Sequence, residues 1–281
     1  MDASGATKRS ALSAAPAALV PALLLLSVLW CGAGGHAAPA VPLRELDARR
    51  FTLVYPEDVK AEARQIGRLV NEEAGRVASF FGSPYPYRFT VRLFTDRASL
   101  TDYWRRAWGE PGLQPECWMV ASGTASALAL LSPSAWKREA CEHDPDDAVA
   151  TRRLIAHELV HVCHGQVNPD PEFDASEEIG WFVEGLAVLA SGQLDGPRLD
   201  RARRALAEGK GPKRLAEAWS GPDRYGIAGS LVAWLEKTRG RAALLRMMRC
   251  RSNEEILAVA GCGEQDMIRS WRSWILSSPS P

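Results

Sequence analysis

The sequence lacks an excess of either charge, because 34 lysine and arginine residues balance 34 aspartate and glutamate residues. Without a net charge there is no global field that selects DNA, RNA or anionic lipid, so we predict no nucleic-acid partner. The sequence also lacks repeats, and nothing after residue 40 is apolar enough to cross a bilayer. What remains is ordinary globular composition, 46% hydrophobic and 24% charged, which suits one large domain or two closely packed lobes.

The long apolar run that the chain does contain lies near its N-terminus. AALVPALLLLSVLW, residues 17–30, follows a short basic region and precedes the small-residue stretch of residues 31–40. This layout predicts a signal peptide over residues 1–37 and hence an exported protein, periplasmic or secreted. An uncleaved N-terminal anchor is the alternative, although a run interrupted by Pro21 is short for a membrane span. We therefore expect membrane attachment only if this segment stays uncleaved.

Cysteine is scarce, with six residues in the chain and one of them in the predicted signal peptide. Export to an oxidising compartment makes pairs that are close in sequence reasonable bridges. We predict the disulfides Cys117–Cys141 and Cys250–Cys262, with Cys163 left unpaired.

Hydrophobic periodicity predicts an α+β fold in one domain over residues 45–281. A sheet lobe over about residues 50–135 comes first and a mostly helical lobe over about residues 146–276 follows, with the histidines at the seam. In the sheet lobe we predict strands at 51–55, 88–94, 117–122 and 126–132, the last two about a turn at Ser122–Thr124, and helices over 59–82 and from an Asp96 cap to Trp108. In the helical lobe we predict helices over about 148–165, 176–192, 197–208, 213–219, 224–238 and 241–249, a short helix capped by Ser252, and a last helix carrying Trp271 and Trp274.

The stretch IAHELVHVCHG, residues 155–165, holds three of the five histidines of the chain. Residues four apart lie on one face of an α-helix, about 6 Å apart, so His157 and His161 can bind a single metal ion. Glu158 is offset by one position and therefore flanks a metal instead of binding it. From there its carboxylate can take a proton from a water molecule whose pKa zinc lowers to about 7.

A catalytic zinc site needs a third protein ligand. The sequence lacks the last histidine of the pattern H-E-x-x-H-x-x-G-x-x-H, because Val167 stands there. Glu184, in WFVEGLA, is the alternative, since a lone carboxylate in an apolar helix is costly unless it is paired or bound to a cation. A buried salt bridge from Glu184 to Arg152 or Arg153 is the competing interpretation.

Four neighbouring residues have simpler explanations. Glu177 and Glu178 are alternative ligands, but acidic residues at a helix start already complement the helix dipole. His164 is about 10 Å along the helix from the first histidine of the motif, so we interpret it either as a substrate contact or as a helix C-terminal histidine followed by Gly165. Cys163 points away from the metal face and is expected to be a buried, inert thiol.

HELVH followed by WFVEGLA resembles the gluzincin group of zinc metallopeptidases, including the aminopeptidase-N-like enzymes, in which a W-x-x-E-G-x-A stretch carries the third ligand. The chain is still more similar to the exported bacterial peptidase MA-like domains over roughly residues 50–250. That similarity includes ASGTASALALLSP and the later stretch YGIAGSLVAWL. The resemblance implies a zincin-like fold with the active-site helix at the seam of the two lobes.

The same resemblance implies one Zn²⁺ ion held by His157, His161 and Glu184, and peptide hydrolysis with Glu158 as the general base. It also implies that the strand near residues 126–131 borders the cleft and pairs with an extended peptide or protein substrate.

Tyr225 is the candidate donor of a hydrogen bond to the developing oxyanion. A tyrosine that packs in the core at a helix start is the alternative interpretation.

Zinc-dependent peptide hydrolysis is therefore the function that the sequence predicts. One alternative is an exported protein that binds peptide or cell-wall polymer without turnover around a structural zinc ion. Glu158 argues against it, because a structural site needs no base. The other alternative is a zinc amidase that acts on a non-peptide or peptidoglycan amide.

Overall fold

A computed structural model describes residues 41–83, 85–174 and 176–277 of the chain. The predicted signal peptide, residues 1–37, lies outside these ranges and stays a prediction. From Val41 onward the chain forms one compact unit. In the described ranges we find no helix that is both long and apolar enough to span a membrane.

A five-stranded mixed sheet forms one side of the fold. Its strands are β1 (Leu43–Asp47), β2 (Phe51–Pro56), β3 (Phe89–Phe94), β4 (Ala121–Gly123) and β5 (Ala127–Leu131). They are arranged in the order β1-β2-β3-β5-β4, with β2, β3 and β5 parallel and the two outer strands antiparallel to their neighbours. Buried and half-buried residues alternate along β2 and β3, which is the period of a strand with one face on the core. All five residues of β5 are buried, because this strand is covered on both faces.

Ten α-helices follow or interrupt these strands within the described ranges. They are α1 (Lys60–Phe81), α2 (Arg97–Ala107), α3 (Pro133–Glu139), α4 (Ala148–Val167), α5 (Gly180–Ala190), α6 (Gly196–Ala207), α7 (Arg224–Arg239), α8 (Arg241–Met247), α9 (Asn253–Ala260) and α10 (Glu264–Ser277). Short 3-10 helices cover Glu57–Val59, Glu177–Ile179 and Leu215–Glu217. The α+β class is therefore confirmed, including the predicted Asp96 cap, whose side chain accepts a hydrogen bond from the Ser99 N–H group.

Several boundaries differ from the sequence prediction. The strand predicted over residues 117–122 is wrong in its first half, and Gly123 lies in β4 instead of in the turn. In that first half, the Met119 N–H group donates to the Glu116 carbonyl and closes a turn, and the Arg97 guanidinium binds the carbonyl groups of Cys117 and Met119. The predicted helix over residues 213–219 is only a 3-10 turn. Periodicity did not indicate β1, whose side chains are mostly exposed, or the short helix α3.

Helix α4 lies between the sheet and the helical part of the chain, packed against α1, β4, β5 and α5. Two side-chain contacts fix its position. The Tyr85 hydroxyl donates a hydrogen bond to the Leu159 carbonyl at 3.1 Å. The Gln166 amide donates to the carbonyl groups of Tyr87 and Ala125, which ties the helix end to the turn between β4 and β5. The histidine motif is therefore carried by a helix that is held from several sides.

The predicted disulfide Cys117–Cys141 is confirmed, and Cys163 is unpaired as expected. The predicted disulfide Cys250–Cys262 is wrong, because both thiols are free. Helix α9 lies between these two cysteines, and its eight residues span about 12 Å. A disulfide needs Cα atoms within about 7 Å, so the helix keeps the pair apart.

We expect the variant Cys117→Ser/Cys141→Ser to lose about 3 kcal/mol of unfolding free energy, because the bridge closes a loop with a sequence separation of 24 residues. Urea unfolding followed by circular dichroism measures the loss. The single variant Cys262→Ser is the control and should lie within about 0.5 kcal/mol of the unmodified protein. Peptide mapping under non-reducing conditions that finds Cys262 linked to Cys250 would contradict this assignment.

Candidate metal centre

His157 and His161 lie on one face of α4, one turn apart, and both are buried. The helix begins at an Asp147 cap, whose carboxylate accepts hydrogen bonds from the N–H groups of Val149 and Ala150. The two imidazole rings meet edge to face with centroids 4.7 Å apart. Their Nε2 atoms are 3.0 Å apart, so the two nitrogens converge on the same point.

Glu184 reaches the two imidazoles from α5. Its Oε2 atom is 3.2 Å from Nε2 of His157 and 3.7 Å from Nε2 of His161. The competing interpretation of Glu184, a salt bridge to an arginine of α4, is wrong. Arg152 pairs with Glu72 and Glu73, and Arg153 pairs with Asp195, so both cations are engaged elsewhere.

The donor set of His157, His161 and Glu184 fits a zinc ion. These three side chains offer ligand atoms that all lie within 4.8 Å of one another. Two imidazole nitrogens and a carboxylate oxygen are ligands that zinc takes in proteins. Tetrahedral zinc with bonds of about 2.0–2.1 Å holds its ligand atoms about 3.3 Å apart. The separations of 3.0, 3.2 and 3.7 Å bracket that spacing.

The electrostatics of this cluster follow from bringing two buried imidazoles and a half-buried carboxylate together. Burial alone would raise the pKa of Glu184, but the two imidazoles hold that pKa well below its usual range. Burial likewise lowers the pKa of His161, yet the Glu184 carboxylate outweighs burial and raises the pKa overall. The two imidazoles therefore stabilise the ionised form of Glu184.

Glu158 follows His157 on α4 and points past the cluster toward the sheet. Its side chain is buried and lies next to the Gly123 backbone of β4. Burial raises the pKa of Glu158, and the two neighbouring imidazoles partly oppose that effect. The Glu158 carboxylate thus lies beside the three candidate ligands and next to the edge strand of the sheet.

Gly123 permits the close approach of β4 to α4. A Cβ atom on this residue would lie 2.1 Å from the Glu158 carbonyl oxygen and 3.1 Å from the Cβ of His161. No side chain fits there without moving the strand or the helix. The sequence pattern predicted a turn at this glycine. A glycine within a strand often indicates that another backbone approaches closely, and this feature could have identified the contact.

Helices α5 and α7 are also brought together by glycine. A Cβ on Gly185 would lie 2.5 Å from the Ala228 carbonyl oxygen, and one on Gly229 would lie 2.7 Å from the Val188 side chain. This close packing places the start of α7 near Glu184.

Tyr225 lies at the start of α7, and its ring centroid is 6.5 Å from that of His157. Burial raises the pKa of Tyr225, and the Glu184 carboxylate adds to the rise. Arg224, beside Tyr225, was not among the site residues predicted from the sequence. Its guanidinium lies near the rings of Trp118, Trp219 and Tyr225.

His164 is fully buried and contacts the rings of Phe173 and Phe182 edge to face. Burial lowers its pKa to about 3, so the imidazole is neutral and does not act as a cation against the helix dipole. Both interpretations of His164 from the sequence are therefore replaced by a packing role. Cys163 is buried, and burial raises the pKa of its thiol to about 12, in line with an inert residue.

Two further residues near the motif are explained by packing. Helix α4 continues past Gly165 to Val167. A Cβ atom on Gly165 would lie 2.6 Å from the Pro171 carbonyl oxygen, so glycine here lets the following loop pass close to the helix. Glu178, an alternative ligand in the sequence analysis, faces α9, where its carboxylate accepts a hydrogen bond from the Asn253 N–H group.

Comparisons with known proteins find only remote structural similarity. No protein-family model and no curated protein match the chain. Among solved structures the chain is similar to the M1 zinc metallopeptidase from Deinococcus radiodurans, at 16% identity and a TM-score of 0.42 over 85% of this chain and 53% of that enzyme. It is also similar to an aminopeptidase N family protein from Idiomarina loihiensis, at 14% identity and a TM-score of 0.39 over 85% of this chain and 44% of that protein.

The chain therefore spans about half the length of the enzymes that it resembles. At these TM-scores the neighbours establish neither a shared activity nor a shared substrate, so a functional proposal must rest on the site itself.

We expect Gly123→Ala to lower the unfolding free energy by about 1–3 kcal/mol, because the new methyl group overlaps the Glu158 carbonyl oxygen. Urea unfolding measures the change. Gly75→Ala in α1 is the matched control, since a Cβ there meets nothing within 4 Å, and this variant should gain stability through better helix propensity. A Gly123→Ala protein as stable as the unmodified protein would contradict the close approach.

Proposed function

We propose that this protein is a zinc-dependent peptidase that binds one zinc ion through His157, His161 and Glu184. The observation that carries the proposal is the convergence of these three ligand atoms next to a buried carboxylate, Glu158. Structural zinc sites are closed by four protein ligands, whereas catalytic sites have three and leave a position open. The described residues supply three. A carboxylate beside an open position is the arrangement of a metal-assisted hydrolase.

When bound, zinc supplies a Lewis acid that polarises a carbonyl group and makes water acidic near neutral pH. Glu158 is the proposed general base, which takes a proton from the attacking water molecule and passes it to the leaving amine. The Gly123 backbone lies against Glu158, which puts this base on the sheet side of the cluster. In this proposal the fold is zincin-like, with α4 as the active-site helix.

The substrate strand is proposed to pair with β4, which corrects the sequence prediction for residues 126–131. Strand β5 already pairs on both sides, with β3 and with β4, so it has no free edge. Val120 and Thr124, on either side of β4, form main-chain hydrogen bonds with residues of β5. Ala121 therefore directs its main-chain groups, and Gly123 its carbonyl group, to the free edge, where an extended peptide could add a strand.

Tyr225 is the proposed hydrogen-bond donor to the carbonyl oxygen as negative charge develops on it. Its ring lies beside the ring of His157, at a centroid distance of 6.5 Å. Because burial and Glu184 raise its pKa, the phenol keeps its proton at neutral pH and can donate.

Export is also part of the proposal. The Cys117–Cys141 disulfide is typical of an oxidising compartment, such as the periplasm or the extracellular space. Peptides or proteins of that compartment are the proposed substrates.

Two carboxylate variants separate metal binding from chemistry. We expect Glu184→Gln to lose stoichiometric zinc, whereas Glu158→Gln should keep one ion and lose peptide hydrolysis by about a hundredfold or more. Elemental analysis after dialysis and cleavage of a mixed peptide library measure the two effects. Glu178→Gln is the matched control and should change neither, because that carboxylate faces α9.

Protein that binds no stoichiometric metal would overturn the proposal as a whole. A Glu158→Gln protein with full turnover would remove the role of Glu158 as the base.

We expect Tyr225→Phe to lower kcat by about a hundredfold with little change in KM, because the hydrogen bond that it removes forms fully only in the transition state. Steady-state kinetics on a peptide identified from the library give both constants. Equal values of kcat for Tyr225→Phe and the unmodified enzyme would leave Tyr225 with a packing role only.

A further inference from the structure

Arg224 lies in an aromatic cage beside the candidate metal centre. Its guanidinium carbon is 5.8 Å from the ring centroid of Trp118, 5.3 Å from that of Trp219 and 5.4 Å from that of Tyr225. Guanidinium groups are attracted to the faces of aromatic rings at such distances. Three rings thus hold one cation in place before any ligand arrives.

The cage is built from two separate parts of the chain. Trp118 comes from the segment before β4, next to the disulfide-bonded Cys117, and its carbonyl group is 2.8 Å from Nε2 of His143. Arg224 and Trp219 come from the start of α7 and the segment that precedes it. The disulfide restrains the segment that carries Trp118 and thereby stabilises the position of this ring beside Arg224.

The charge of Arg224 is not neutralised by the protein. No carboxylate in residues 41–83, 85–174 and 176–277 forms an ion pair with it, and the adjacent Asp223 pairs with Arg201. The Arg224 Nε atom is buried and has no hydrogen-bond partner among these residues. Arg224 lowers the pKa of the neighbouring Tyr225 phenol, but one phenol can accept from only part of the five N–H donors of a guanidinium. Buried donors without a partner are rare in proteins and call for an explanation.

The position of Arg224 relates it to the proposed substrate. The Tyr225 ring centroid is 6.5 Å from that of His157 and 5.4 Å from the Arg224 guanidinium carbon. The guanidinium therefore lies at most about 12 Å from the His157 ring, which is the reach of about three extended residues.

We propose that Arg224 binds a carboxylate of the substrate within three residues of the cleaved bond. Planar guanidinium groups bind carboxylates through two parallel hydrogen bonds, and stacking on aromatic rings leaves the edge of the guanidinium available for them. The proposal rests on the function proposed above and adds a substrate class, namely peptides that carry a carboxylate near the cleavage site. That carboxylate belongs either to the peptide C-terminus or to an aspartate or glutamate side chain.

Binding of three matched peptides to the zinc-loaded Glu158→Gln protein tests the proposal by calorimetry. The peptides are an N-acetylated alanine pentapeptide with a free C-terminus, the same peptide as its C-terminal amide, and that amide with one alanine replaced by glutamate. We expect at least one carboxylate-bearing peptide to bind about tenfold more tightly than the neutral amide, the gain typical of a hydrogen bond to a charged group. Tighter binding of the free acid alone assigns the site to the C-terminus, and tighter binding of the glutamyl amide assigns it to a side chain.

Adding Arg224→Gln to the Glu158→Gln protein should bring the three dissociation constants together, whereas adding Arg224→Lys should retain part of the preference. Arg214→Gln is the control, since it removes the same charge from an arginine that pairs with Glu217 and should leave the preference intact. Equal binding of all three peptides without a change at Arg224, or no binding of any, would overturn the proposal. If carboxylate-dependent binding is found but the active protein cleaves no peptide, the carboxylate site stands and the proposed peptidase function fails.

Discussion

Holding two buried imidazoles and one half-buried carboxylate at a single point is the constraint on which the rest of this structure depends. Ionisable groups that leave water must be paired or bound to a cation, and His157, His161 and Glu184 meet this requirement only while α4 and α5 keep their relative positions. The sheet packs against α4 from one side, and α7 packs against α5 from the other. The fold can therefore be understood as a support that fixes two helices.

Glycine residues allow these strands and helices to pack closely enough to form the site. Gly123 lets the edge strand touch α4, which brings the strand backbone to Glu158 and a free strand edge to the cluster. Gly185 and Gly229 let α7 approach α5, which brings Tyr225 toward His157. At each contact any side chain would overlap backbone or closely packed atoms. The geometry of the site therefore depends on glycines that take no part in the chemistry.

Much of the fold and part of the site could be predicted from the sequence because they are local. A period of 3.6 residues put His157 and His161 on one face of a helix, and the alternation of apolar residues marked β2 and β3. The element boundaries that failed were set by distant partners. Arg97, for example, binds the carbonyl groups of Cys117 and Met119, which lie just before β4.

The sequence by itself determined the α+β class, the spacing of the histidines and the neighbouring carboxylate, because each depends on a short-range repeat or on composition. Only the tertiary structure decided that Glu184 faces the histidines and not an arginine, and that β4 provides the free edge. It also decided that helix α9 separates Cys250 from Cys262, and that Arg224 lies among aromatic rings with no ion-pair partner in the described part of the chain. These outcomes depend on contacts between residues far apart in the chain, which no local pattern specifies.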